Sequence, residues 1–362
     1  MQKKLIALAI TAAFASAPAF ADVNVYGIMD AGVYSNDSGA ASNSKTSGIA
    51  SSGYTTSRLG FKGTEDLGNG ISARYQLEAE VVPTSGQVVS KSLGTTGTMN
   101  FFKRAATVGL VGDYGSVDIG RQNTPEYATL GGFDSTGGSN TGGLVPFYGS
   151  TSTDRVDNSM LYTSPNMSGF KAQLLYSSMF TSGNTESSAT TSAGNFYNYQ
   201  VAYAAGPISA ALGGQHANNS NPLPTVAAPG TLYSNIYIMG KYDFGMASVA
   251  AGYINRNNEV SGSDNTKHTW IGVNVPVTSV VVVGAVVQKI KSVGGTTGND
   301  ATGYGLVGTY ALNKHAKLYA AYSGTNNKGT ASVGDTVATG GTFGVAAGKS
   351  GHLMMAGLNY SF

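Results

Sequence analysis

The stretch ISARYQLEAEV (71–81) alternates without a slip. Ile71, Ala73, Tyr75, Leu77, Ala79 and Val81 share one parity; Ser72, Arg74, Gln76, Glu78 and Glu80 share the other. Successive side chains of a strand point to opposite faces, so this pattern demands a strand that is apolar on one side and polar on the other. DVNVYGIMDAGVYS (22–35) repeats it, with Val23, Val25, Met29, Ala31 and Val33 set against Asn24, Tyr26, Asp30 and Tyr34. WIGVNVPV (270–277) sets Ile271, Val273 and Val275 against Gly272 and Asn274, and the last residues place Met354, Ala356, Leu358, Tyr360 and Phe362 on one parity. The fold must be a sheet with one wet face, and helical periodicity has no place in it.

The connections between these strands come in two sizes. Compact turns of turn-forming residues fall at 65–70, 112–116, 164–169, 205–209, 243–247, 275–279 and 312–316. Between them lie long stretches rich in Gly, Ser, Thr and Asn, near 35–53, 83–101, 122–153, 178–196, 215–232, 255–268, 289–302 and 324–351. Seven short and eight long connections in alternation predict sixteen antiparallel strands, with both termini at the short-turn end. The run VVVVGAVV (280–287) is apolar on both faces. Its two apolar faces are expected to be covered, one by a neighbouring subunit and the other by an inward-folded loop.

The N-terminal segment MQKKLIALAITAAFASAPAFA has the basic start, short apolar middle and A-x-A end of a secretory signal peptide, so residues 1–21 are expected to be removed and 22–362 to form one domain. The 21 basic residues less Lys3 and Lys4 leave 19, equal to the 19 acidic ones. This balance argues against a nucleic-acid partner, which would call for a basic excess on one face. The chain has no cysteine, so an exported fold of this kind is held without disulfides. No stretch after residue 21 has the roughly 18–20 consecutive apolar residues of a membrane-spanning helix.

An even number of antiparallel strands, short turns at one end and long loops at the other is the pattern of an outer-membrane β-barrel. Closure pairs every edge, which lipid requires because it offers no hydrogen bonds. The apolar face then looks outward and the polar face lines an aqueous lumen. A large secreted β-sandwich or β-helix is the competing reading. The terminal strand is expected to pair with the first, presenting Leu358, Tyr360 and Phe362 to lipid at the periplasmic girdle. Arg74, Glu78 and Glu80 form a charge ladder on the lumen face.

SRLGFKGTEDLGNG (57–70), RAATVGLVGDYGSVDIGRQNTPEY (104–127), RVDNSMLYTSPNMSGF (155–170) and the closing GLNYSF resemble the general porins of β-proteobacteria, the neisserial-type Gram-negative porins, in the same order along the whole mature chain. The resemblance implies a sixteen-stranded barrel, usually a homotrimer, whose third loop folds into the lumen and narrows it. It also implies a cell outer-membrane location among lipid and lipopolysaccharide, and recognition by the barrel-assembly machinery through the C-terminal strand. In the family a cluster of wall arginines faces acidic groups on the third loop. The matching positions are Arg58, Arg121 and Arg155, and the third loop carries Glu126 and Asp134. Arg58 lies seven residues before Glu65, Arg121 five after Ser116 and Arg155 nine before Ser164. At roughly 3.3 Å per residue on tilted strands, all three come near mid-height. Arg121, however, shares the parity of Val117 and Ile119, so a bulge is needed to bring it inward.

Other signals are weaker. GYGLVG (303–308) matches a dinucleotide fingerprint but sits inside a strand pattern, so its glycines read as strand glycines and no cofactor is expected. The four histidines lack zinc spacing, and no nucleophile–histidine set points to an enzyme. Trp270 reads as a rim or lumen residue. The expected function is a general diffusion porin for ions and small hydrophilic solutes with a weak anion preference. The alternatives are a substrate-specific channel, marked by saturable block, and a structural or adhesive surface barrel, marked by no conductance.

Overall fold

A computed structural model describes residues 23–42, 44–89, 92–93, 98–99, 101–180, 194–218, 233–259, 262–337 and 341–362. The expected signal peptide lies outside the described residues. The barrel strands are β1 (Asn24–Asp37), β2 in two segments (Lys45–Ser51 and Arg58–Gly68), β3 (Ile71–Val82), β4 (Ala105–Gly112), β5 (Gly115–Asn123), β6 (Arg155–Thr163), β7 (Phe170–Phe180) and β8 (Gly194–Ala205). They continue with β9 (Ile208–Asn218), β10 (Tyr233–Asp243), β11 (Ser248–Asn257), β12 (Thr266–Pro276), β13 (Val281–Lys291), β14 (Ala301–Ala311), β15 (Ala316–Asn327) and β16 (Ser350–Ser361). Each pairs antiparallel with its sequence neighbours, and β16 returns to β1 with Met29 opposite Tyr360 and Ala31 opposite Leu358. The result is a closed sixteen-stranded barrel.

All seven short turns fall where the sequence places them. The strands run further into the long-loop end than the loops suggest: 45–51 is paired strand, opposite 31–37 of β1, rather than loop. Below it, 52–57 leaves the sheet and folds inward, and the strand resumes at Arg58.

Alternation holds with the burial reversed. Val33, Leu212, Ile238 and Ile271 are exposed on the outside by 57–61% of their surface, while Asn198, Gln215, Asn235 and Asp30 are buried inside. Leu358, Tyr360 and Phe362 are exposed on the outer face. Phe362 closes the seam through two hydrogen bonds with Gly27, each 3.1 Å. Leu353 and Met355, on the opposite parity, are buried in a cluster with Ala50 of the upper β2 segment and Tyr54 of the inward-folded one.

The largest apolar cluster sits inside the barrel. The third long loop (124–154) carries two short helices, α1 (Pro125–Leu130) and α2 (Val145–Tyr148). Its Leu130, Phe133, Leu144 and Tyr148 pack on Tyr237, Met239, Ile254, Trp270 and Val286, which point inward from β10–β13. This explains the two-faced run at 280–287: Val287 is exposed outside, and Val286 is covered by the loop. The loop lies directly on the wall at Gly284 and Gly305, where an added Cβ would strike the backbone of Ser135 and of Gly142. The glycines of 303–308 are strand glycines, of which Gly303 and Gly305 admit this loop at Phe147 and Gly142.

Candidate functional site: the lumen and its arginine wall

Three guanidinium groups gather on the inner wall. Arg58 opens the lower segment of β2, pairs across to Ile28 and Glu80, and donates from Nε to the Thr56 carbonyl at 2.9 Å. Arg104 stands just before β4 and donates from Nε to Glu78 Oε1 at 2.6 Å. Arg155 opens β6, donates to the Arg104 carbonyl at 3.2 Å and to Asp154 Oδ2 at 2.7 Å, and lies 5.1 Å from the ring centre of Tyr127 on α1. Glu78 also accepts from the Tyr26 hydroxyl at 2.8 Å. Below them Arg74 pairs with Asp118 and donates to Ser116 Oγ at 2.9 Å, and Lys62 sits over the Tyr26 ring. Arg58, Lys62, Arg74, Glu78, Arg104 and Asp118 line a cavity of about 830 Å³ that also meets Ala128 of α1.

The expected ladder of Arg74, Glu78 and Glu80 is therefore a set of paired charges, with Glu80 held by Lys103 at 3.0 Å. The arginine group differs from expectation at one position. Register does jump where the bulge was needed: Gln122 pairs Val156, Gly120 pairs Ser159, and Arg121 faces both Asp157 and Asn158. The extra residue is on β6, however, so alternation along β5 is unbroken. Asp118 and Gln122 reach the lumen, and Arg121 stays on the side of Ile119, opposite Ala106. There it pairs with Asp157 and the Lys103 carbonyl. Arg104, which the sequence reading passed over, occupies the lumen position. Its signal was the register of β3 on β4, which brings Glu78 opposite Ala105; the long connection between those strands hides that register in the sequence.

The two loop carboxylates also turn away from the arginines. Glu126 is fully buried, accepting from Ser152 Oγ at 2.6 Å and from Asn235 Nδ2 on β10 at 3.2 Å. Burial pushes its carboxyl up to about 8. Asp134 folds the loop onto itself, accepting from the Thr136 N–H and hydroxyl at 2.9 and 2.7 Å and from the Leu144 N–H at 2.8 Å, and burial raises its pKa as well. What the loop presents beside the arginines is the Tyr127 ring and Ala128. Further pins hold it: Lys241 Nζ donates to the Gly132 carbonyl at 2.9 Å, Asn274 to that of Ser135 at 2.9 Å and Gln288 to that of Gly143 at 2.8 Å. From above, the Gly142 N–H donates to Asp335 at 3.2 Å.

A closed barrel that is apolar outside and charged within defines a membrane-spanning pore. The sequence matches the Gram-negative porin family over residues 6–330. Outer membrane porin protein 32 of Delftia acidovorans is 30% identical over 374 aligned residues covering all of both chains. The major outer membrane protein P.IB of Neisseria gonorrhoeae is 33% identical over 51% of this chain and 50% of its own. The anion-selective porin from Comamonas acidovorans superposes with a TM-score of 0.77 at 26% identity, covering 94% of this chain and 100% of that one. The trimer form of Vibrio cholerae OmpT shares the fold at a TM-score of 0.67 and 18% identity, with 94% and 99% covered. The chain belongs to the Gram-negative porin family. It is an outer-membrane channel and not an enzyme.

Proposed function

We propose that this porin is a general diffusion pore for ions and small hydrophilic solutes, with a preference for anions set by Arg58, Arg104 and Arg155. The observation that carries the reading is the one-sidedness of the charge. Three permanent cations converge on the lumen, two of them paired with Glu78 and Asp154, and Arg58 has no carboxylate bonded to it among the described residues. Apart from Asp154 at its end, the loop sets no carboxylate against them: Glu126 and Asp134 are buried against wall and loop, and with its carboxyl near 8 Glu126 is largely protonated at neutral pH. Rings of fixed cations bias ion passage, and here the bias has one sign. An anion-selective porin as a structural relative at 26% identity supports the same direction.

In this reading the third loop narrows the passage beside the arginine wall. Residues 1–21 are a cleaved signal peptide, the working form is a homotrimer in lipid and lipopolysaccharide, and the strand ending in Leu358, Tyr360 and Phe362 is the segment the barrel-assembly machinery engages. The test is the reversal potential of the purified, unheated protein in a planar bilayer across a potassium chloride gradient. An anion-favouring potential with stepwise conductance is expected. A cation-favouring potential would overturn the arginine assignment, and the absence of conductance from a folded barrel would overturn the diffusion pore.

A further inference from the structure

Strand β2 leaves the sheet partway along its length, while its partner β1 does not. Ser51 pairs with Ala31 and Arg58 with Ile28, so residues 52–57 of β2 stand against only Met29 and Asp30 of β1. The surplus chain has to leave the plane of the sheet. It turns inward at Ser52, whose φ of 65° lies in the left-handed region that residues with a side chain disfavour. Such a conformation persists only where its surroundings fix it.

Asp30 supplies the fixing. It is fully buried, and no cation is paired with it among the described residues. Four donors surround the carboxylate instead. The Tyr54 N–H at 3.3 Å and the Tyr319 hydroxyl at 2.9 Å reach Oδ1, and the Thr55 N–H at 3.1 Å and Asn359 Nδ2 at 2.8 Å reach Oδ2. Burying a carboxylate is costly unless it is bonded in this way. Two of these donors belong to the inward segment and two to the wall strands β15 and β16, so the carboxylate ties one to the other. The Asp30 carbonyl adds a bond from the Ser52 N–H at 2.7 Å.

The segment in turn meets both sides of the narrow passage. Its Thr56 carbonyl accepts from Arg58 Nε. The Tyr54 and Gly53 carbonyls accept from the N–H groups of Asn140 and Thr141 in the third loop at 2.9 and 3.1 Å, and the Ser52 carbonyl accepts from Asn140 Nδ2 at 2.9 Å. Tyr54 is buried in a cluster with Val307, Tyr319, Ala321 and Met355 of β14–β16, a cluster that contains no residue of the third loop.

We infer that residues 52–57 are a second internal plug, closing the corner between the third loop and the β14–β16 wall, and that Asp30 is the positioning residue that holds it there. Solutes are thereby confined to the passage beside Arg58, Arg104 and Arg155 and do not slip behind the loop. The inference rests on the diffusion-pore reading and not on the sign of the ion preference.

The test is the size cut-off of the purified full-length protein in a planar bilayer, read as the polyethylene glycol size above which single-channel conductance is no longer reduced. Asp30→Asn keeps the shape of the side chain but turns an NH2 group toward donors. It should admit a larger glycol than the wild type and conduct more per channel. Its reversal potential should lie closer to zero, because ions then also pass along a wall that carries no arginine. Tyr54→Ala removes the body of the plug without touching the strand pairing, and should raise the cut-off as well. Lost stability alone moves neither cut-off nor potential, so these readouts separate a positioning role from a merely structural one. A folded, heat-modifiable Asp30→Asn barrel with the wild-type cut-off would overturn the role of Asp30, and Tyr54→Ala with that cut-off would overturn the plug. A fall in conductance in either would also overturn the plug, since the segment would then obstruct the passage when released. Tyr54→Ala decides the matter if Asp30→Asn does not assemble. A folded wild-type barrel that passes no current would instead defeat the diffusion-pore reading itself.

Discussion

The two halves of the inner wall are made of the same alternating strands and do opposite things. From β2 to β5 the inward residues include Arg58, Arg74, Glu78, Arg104 and Asp118, and they line an open cavity. From β10 to β14 they are Tyr237, Met239, Trp270, Gly284, Val286 and Gly305, covered by the third loop. Strand alternation specifies only that one face points inward. Whether that face is pore or core depends on what packs on it, and the charges of the first half exclude a cover as firmly as the glycines and apolar residues of the second half admit one. The loop crosses the lumen because only one half can bury it.

The sharpest way to break this contrast is to deny the loop its seat. Gly305→Val places side-chain atoms where the Gly142 backbone lies, whereas Gly308 on the same strand has open space around its added Cβ. Overpacking of this kind costs about 1–3 kcal/mol. The displaced loop should move into the passage, so single-channel conductance of Gly305→Val should fall in a barrel that still shows heat-modifiable mobility, and Gly308→Val should conduct as wild type. Equal conductance of the two variants would mean that the loop does not depend on this wall.

On the wet half the largest effect is expected at Arg104. Arg104→Gln strands Glu78, which is only 7% exposed, and breaking a buried pair costs about 3–5 kcal/mol. Unfolding in urea should show that loss, and the reversal potential should move toward cations. The double variant Arg104→Gln/Glu78→Gln removes one charge of each sign and should recover most of the stability and the anion preference. Failure to recover either would separate the pair from the lumen charge balance.

Glu126 joins the two halves, since its carboxyl accepts from Asn235 of β10 while burial favours its protonated form. Its carboxyl, near 8 in the folded protein, titrates near the ordinary 4.3 when unfolded, so the folded state holds the extra proton between those values. The sign follows: stability is greatest at acid pH and declines as pH rises through that window. Open-channel current noise from the loop should therefore grow above pH 8 in the wild type and stay flat in Glu126→Gln, which keeps the shape without the titration. Noise that falls with rising pH would contradict the buried, protonated anchor.

The barrel was legible because its signals are periodic and local. The parity at 71–81, the seven turns and the terminal Leu358, Tyr360 and Phe362 each rest on a few adjacent residues. The site was legible only in part, because it depends on register across long connections. Arg58 and Arg155, which the family resemblance had pointed to together with Arg121, open paired strands. Arg104 was not, since only the β3–β4 pairing brings it to Glu78. Glu126 and Asp134 were found as residues but not as orientations, because a loop of 124–154 can turn a carboxylate toward water or toward the wall, and Asn235 lies 109 residues from Glu126.

The smallest expected effect is the most discriminating about that register. Arg121 on β5, opposite Ala106, and Arg104 just before β4 are near neighbours that differ in the face they take. If alternation along β5 governs, Arg121→Gln removes an outer ion pair with Asp157, costs well under the loss at Arg104, and leaves the reversal potential where it was. This pair is less buried than that of Arg104 with Glu78, at 14 and 19% side-chain exposure against 9 and 10%, so its loss costs less. If the β6 bulge instead let the side chain reach the lumen, Arg121→Gln would shift the potential toward cations as Arg104→Gln does. The two variants measured side by side thus read the direction of one side chain through the sign of a current, and the position of Asp118 and Gln122 on the lumen side of the same strand predicts no shift for Arg121.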